Sequence, residues 1–254
     1  MIAVCYQRRY NKLHWSIYGL SYDLYVLKIF GHIYSVYSSL NYLWSPLIKV
    51  QLSKRYPLFY PLNHGTGIPV SILLLIKDIL IIISGVLVLR QLTVYRSTKH
   101  VHQSISKLCL LVLMTSAAFG ISTYTFACSN LPENNSGRFG VFYVEHINYL
   151  WVTGNVLRAF QSVPQFSLNW IGMSTNGLSS KFVLITFLNK LILLVIRTFS
   201  LKDIEYYNVP FNLTPLLVVL SEFIFITGIL YQAQYLYLGK KQHLPKRKRF
   251  LQPI

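Results

Sequence analysis

Ionisable side chains interrupt stretches that are otherwise apolar, among them Asp23, Lys28, His32, Lys77, Asp78, Arg158, Lys190 and Glu222. A charge at the centre of a bilayer costs roughly 3 kcal/mol on insertion scales, so each is a functional candidate by default. Lys28 and His32 are four residues apart and share one helix face. From that face Lys28 can attract a substrate carboxylate, and His32 titrates in the range of an acidic lumen. The plainer alternative is a pair stabilised by a neighbouring acid such as Asp78 or Glu222. Lys77 and Asp78 are adjacent, point about 100° apart on a helix and need separate partners. Glu222 lies within the last apolar run, far from water, and is the preferred protonatable residue. Asp23 stands at a helix start, where a carboxylate can cap the first turn. Arg158 is close enough to the edge of its run to snorkel to water, and Lys190 reads equally as half of an ion pair between helices. Pro164-Gln165 is a different kind of chemistry. Proline removes a backbone donor and makes a hinge, and glutamine beside it offers a donor and an acceptor to satisfy the freed backbone.

The elements that must hold these groups are membrane helices. Of 254 residues, 53% are hydrophobic and 12% charged, half the charge of an ordinary soluble domain. Runs long enough to span about 30 Å of hydrocarbon cover Leu24–Trp44, Ile68–Leu89, Leu108–Cys128, Phe142–Val163, Phe182–Phe199 and Leu213–Leu238, about six spans. The net charge of +17 fits basic loops on the cytosolic side better than nucleic acid, for which no binding module is visible. Arg8, Arg9, Lys12, Arg90, Arg96, Lys99, Lys107 and the tail from Lys240 to Arg249 fall on one side, which the positive-inside rule makes cytosolic; Lys49, Lys54 and Arg55 oppose this. The opposite side receives two N-x-S/T sequons, at Asn134 and Asn212, as glycosylation candidates. Cys5, Cys109 and Cys128 imply neither a disulfide framework nor a zinc site. There is no GxSxG, HExxH, P-loop or dinucleotide fingerprint, and seven histidines show no ligand spacing, so neither an enzyme nor a metal site is expected.

The chain also repeats itself. A shift of 158 residues places Gln7 on Gln165, Asn11 on Asn169, Ser16 on Ser174 and Gly19-Leu20-Ser21 on Gly177-Leu178-Ser179. Six identities in a gapless window of fifteen, at two predicted cytosolic loops, point to a duplicated bundle with a duplicated hinge.

These residues carry a resemblance. Val163-Pro164-Gln165 with Asn169 and Ser174-Thr175 is similar to the second loop of the PQ-loop family, cystinosin branch. Gly19 to Asp23, Gly31, Leu43-Trp44, Pro46, Ile48-Lys49 and Arg55-Tyr56-Pro57 resemble the same branch from the end of its first loop through its second helix. The resemblance implies an all-α polytopic membrane protein with a PQ-loop/SWEET-like fold: two three-helix bundles joined by a linker helix. It implies proton-driven export of cystine or a related small zwitterionic amino acid from a lysosome or vacuole. Asp23 and Glu222 would then handle protons, Lys28 would help hold the substrate, and Gln7, Pro164 and Gln165 would form the hinges. At family positions this chain has Tyr6 in place of the first proline, Lys28 for an asparagine and Thr186 for an acid. With six residues before Gln7, the first helix is expected to be incomplete.

The expected organisation is residues 1–89 as the first, truncated bundle, 90–140 as linker helix and loops, 141–239 as the second bundle and 240–254 as a basic cytosolic tail. Protons are the expected coupling ion, with no other cofactor. The bilayer and the amino acid are the expected partners, with no nucleic acid. A non-transporting scaffold or sorting factor on the same fold is the alternative, favoured by Tyr6 and Thr186.

Overall fold

The computed structural model describes residues 2–57, 68–99, 103–129, 137–199 and 209–238. Their regular structure is helical throughout, with no strand among the described residues. The helices are α1 (Ile2–His14), α2 (Tyr22–Trp44), α3 (Pro46–Arg55), α4 (Ile72–Val94), α5 (Lys107–Cys128), α6 (Tyr143–Phe160), α7 (Val163–Ile171), α8 (Ser180–Phe199) and α9 (Leu216–Tyr231), the last continued by a π-helical turn over Gln232–Leu236.

Local chemistry sets several boundaries. Ser21 and Ser106 cap α2 and α5, their hydroxyls accepting from the amides of Leu24 and Cys109. Pro46 opens α3 and Pro164 opens α7, each in the first turn, where a missing amide costs nothing. Pro164 thus begins a helix, where the sequence pattern suggests a helix end. The segment from Tyr143 to Ile171 is two helices broken at Gln161-Ser162.

Four helices are long and apolar enough to cross a membrane: Ile72–Val94, Lys107–Cys128, Ser180–Phe199 and Leu216–Leu236. Their outward faces are apolar, with Leu73, Leu108, Ile192 and Leu217 each more than half exposed, as lipid contact requires. This is a helical membrane protein. Two of the six expected spans fall short by composition. α2 carries Asp23, Lys28, His32 and three serines, and α6 carries Glu145, His146, two asparagines and Arg158. The physical reason is position. α2 buries 11 of its 23 residues between α4 and α6, whereas α8 buries only Phe182 and Val183. The polar helices are the inner ones.

The α2–α6 crossing rests on two glycines. A Cβ on Gly154 would stand 2.9 Å from the Gly31 carbonyl, and one on Gly31 would stand 3.0 Å from the Gly154 carbonyl. Small residues at such a point let two backbones approach closely. The same crossing lays the Arg158 side chain across α2, its Cγ 2.8 Å from that position on Gly31.

Two halves emerge, α1-α2-α4 and α6/α7-α8-α9, with α5 lying against α6. The first element of each half packs on the second helix of the other: α1 on α8, and α6 with α7 on α2. One apolar cluster, including Ile17, Leu20, Tyr25, Leu178 and Val183, gathers around the loops at one end. A second, including Tyr42, Ile48, Val144 and Ile147, closes α2, α3 and α6 at the other.

Candidate functional site: a charged cavity beneath two reciprocal loops

The repeated residues face one another. Gln7 is fully buried; its Nε2 donates to Asn11 Oδ1 (2.8 Å) and to the Gly177 carbonyl (2.9 Å), and its Oε1 accepts from the Ser179 amide (2.9 Å). Gln165 does the same in the other half. Its Nε2 donates to Asn169 Oδ1 (2.8 Å) and the Gly19 carbonyl (2.8 Å), and its Oε1 accepts from the Ser21 amide (2.8 Å). Each glutamine therefore holds the loop of the opposite half. The correspondence continues outward, for Asn11 donates to Gln91 and Asn169 to Gln232. Those two glutamines donate in turn to the carbonyls of Arg8 and Phe166, which the same shift superimposes. Trp15 and Met173, related in the same way, both have positive φ.

Gly19 and Gly177 meet where the loops touch. Gly19 adopts φ +77°, and a Cβ on Gly177 would fall 1.8 Å from the Tyr18 carbonyl oxygen. Only glycine fits there. The first loop is further pinned by Gln103, which donates to the carbonyls of Ile17 and Leu20 and accepts from the Gly19 amide.

Beneath the loops lies a cavity of about 380 Å³ between the halves, within the range that holds a small molecule. Leu24, Leu178, Phe182 and Ile226 form its apolar wall beside the loop cluster. Its ionisable lining comprises Lys28, His32, Lys77, Arg158, Lys190 and Glu222. The two acids of the region are well supplied. Asp78 Oδ1 lies 3.1 Å from His32 Nδ1 and 3.0 Å from Lys77 Nζ, and Ser35 donates to Oδ2 at 2.9 Å. Glu222 Oε2 lies 2.5 Å from Lys190 Nζ, and Gln161 donates to Oε1 at 2.5 Å. The repeat shift also carries His32 onto Lys190, so each half has a base on its second helix paired to an acid on its third. Arg158 has no carboxylate within ion-pair distance among the described residues. It is 3% exposed, donates from Nη2 to Thr214 Oγ1 (2.6 Å), and leaves its Nε unbonded.

Lys28, His32 and Glu222 share the cavity, and His32 has Asp78 as the partner that the plainer alternative requires. Gln165 reaches the cavity wall as well as the loop, and Thr186 lines it. Gln7 serves the loop. Asp23 stands apart: its carboxylate accepts from the Ser106 amide (3.0 and 3.3 Å) and anchors the start of α5, while Ser21 caps α2. Asn212 is 3% exposed, and its amide is occupied on both sides by Ser71, accepting from its NH (3.0 Å) and donating to its carbonyl (2.7 Å). It is a clasp between two loops, with no accessible nitrogen for a glycan in this conformation. Asn134 and the tail 240–254 lie outside the described residues. Arg158 corrects the sequence reading. It turns inward across Gly31 to the cavity and does not snorkel. The signal for this is the pair of glycines, Gly31 and Gly154, which bring its helix against α2.

No protein-family model matches the chain. Over 248 residues it is 51% identical to an uncharacterized protein of Saccharomyces cerevisiae, YCL002C; the alignment covers 98% of this chain and 94% of the relative.

Proposed function

The chain belongs to the same family as yeast YCL002C, and for it we propose proton-coupled transport of a small amino acid on the PQ-loop plan. One observation carries the reading: a solute-sized cavity lies between two duplicated halves, and each half brings to it a base paired with an acid. Duplicated bundles around a central polar site are how secondary transporters alternate access, one half rocking against the other. The break at Gln161-Ser162, before Pro164, supplies a bending point, and the glutamine-held loops close one end of the site. Proton uptake by Glu222 dissolves its pair with Lys190 and changes the charge that the cavity presents. The resemblance makes cystine the first amino acid to test and a lysosomal or vacuolar membrane the setting, with the C-terminus in the cytosol.

The test is uptake of labelled cystine, and of a panel of other amino acids, into proteoliposomes holding the full chain under an inward proton gradient. Saturable uptake of at least one amino acid of the panel, collapsing with the gradient, is the expected result, and Glu222→Gln should remove the gradient dependence. If no amino acid enters under either direction of the gradient, transport is lost and a non-transporting scaffold takes its place.

A further inference from the structure

Resting on that transporter reading, we infer that the cavity selects a small organic carboxylate of net negative charge, such as a dicarboxylate or an acidic amino acid, with Arg158 as its anchor. Around the cavity stand four basic side chains, Lys28, Lys77, Arg158 and Lys190, and two carboxylates, Asp78 and Glu222. Lys77 is taken by Asp78 and Lys190 by Glu222, at 3.0 and 2.5 Å. Lys28 and Arg158 remain with no carboxylate in ion-pair range among the described residues. Two unmatched positive charges face one cavity.

Burying an unpaired charge is costly unless something compensates it. The Arg158 guanidinium is buried, one nitrogen bonded to a neutral hydroxyl and Nε to nothing. A guanidinium presents a planar fork that matches a carboxylate with two parallel hydrogen bonds. The Gly31–Gly154 crossing fixes its stem against α2, the helix that also carries Lys28. One carboxylate can therefore sit on Arg158 while Lys28 attracts a second negative group. A zwitterion brings an ammonium for each carboxylate into a site whose acids are already engaged. The wall of Leu24, Phe182 and Ile226 accommodates a short carbon chain between the charged ends.

The experiment is thermal unfolding of the full purified chain in neutral detergent, with succinate, L-glutamate, cystine, L-lysine and inorganic phosphate as separate additions. Succinate and glutamate should raise Tm by about 5 °C near a hundredfold excess over Kd, and cystine, lysine and phosphate should not. Arg158→Gln should abolish that rise while leaving the ligand-free protein at least as stable as the wild type, because the uncompensated charge is gone. A purely structural arginine would give the opposite shift. Should Arg158→Gln not fold, Lys28→Met and Arg158→Lys carry the test, each expected to weaken succinate binding at least tenfold. Equal stabilisation by cystine or lysine overturns the charge selection and leaves the transporter reading standing. Stabilisation by phosphate alone overturns the carboxylate class. Undiminished stabilisation of the Arg158 variants overturns its role as anchor. No response to any addition overturns the inference, and the uptake assay then judges transport independently.

Discussion

Asp78 on α4 is met by three side chains, two of them from α2. Ser35, His32 and Lys77 converge on a carboxylate whose side chain is 1% exposed. Removing one member of a buried charge pair leaves the other uncompensated and typically costs 3–5 kcal/mol. Lys77 is 40% exposed and lines the cavity, so the lower end applies: Asp78→Asn should destabilise the protein by about 3 kcal/mol, seen as a lowered Tm in detergent. A wild-type Tm would show that the geometry at Asp78 is not maintained in solution. The sequence makes this residue legible only by type. An acid in an apolar run announces itself, and Lys28 and His32 declare a shared face by their spacing. Nothing in the sequence tells which of two acids His32 meets, because that depends on the crossing of α2 with α4. Arg158 misleads for the same reason. Distance from the end of an apolar run suggests snorkelling, whereas the glycine crossing turns the side chain inward.

At the scale of elements, the two loops and their glutamines are the most legible feature. Both copies of the gapless repeat make the same contacts, and the hydrogen bonds of Gln7 and Gln165 match partner for partner. Each glutamine satisfies a buried amide and a carbonyl on the opposite loop, and each orphaned group costs about 1–3 kcal/mol. Gln7→Ala and Gln165→Ala should therefore lower stability by similar amounts, about 2–4 kcal/mol each. Because the loops they hold touch at Gly19 and Gly177, the double variant should fall short of the sum. Denaturation of the four proteins in one detergent checks this. A large loss from one variant and none from the other would break the equivalence. The third helices are not legible as repeats. Gln91 and Gln232 occupy equivalent places but are separated by a shorter interval than the loops, so a search at one fixed shift passes them by. The expected spans at α2 and α6 are less apolar than the other four, since helices facing a polar interior carry residues that a lipid-facing helix cannot.

For the whole molecule, the arrangement is two halves that share a repeated loop segment, each presenting the head of its first element to the other, with a basic cavity at their junction. Sequence composition points to the membrane setting, and the repeat points to the duplication. The cavity's excess of positive charge emerges only once the side-chain partners are seen. If the halves move as proposed, the cavity must open in turn to each side of the membrane. Thr186 lines it and bears no charge, which makes it a suitable reporter. The most direct test places a single cysteine at Thr186, with Cys5, Cys109 and Cys128 replaced, and measures its labelling by a membrane-impermeant thiol reagent from each side of sealed vesicles. Alternating access predicts labelling from both sides, with succinate or a proton gradient shifting the balance between them. Labelling confined to one side under every condition would contradict it, leaving a static membrane protein with a charged pocket.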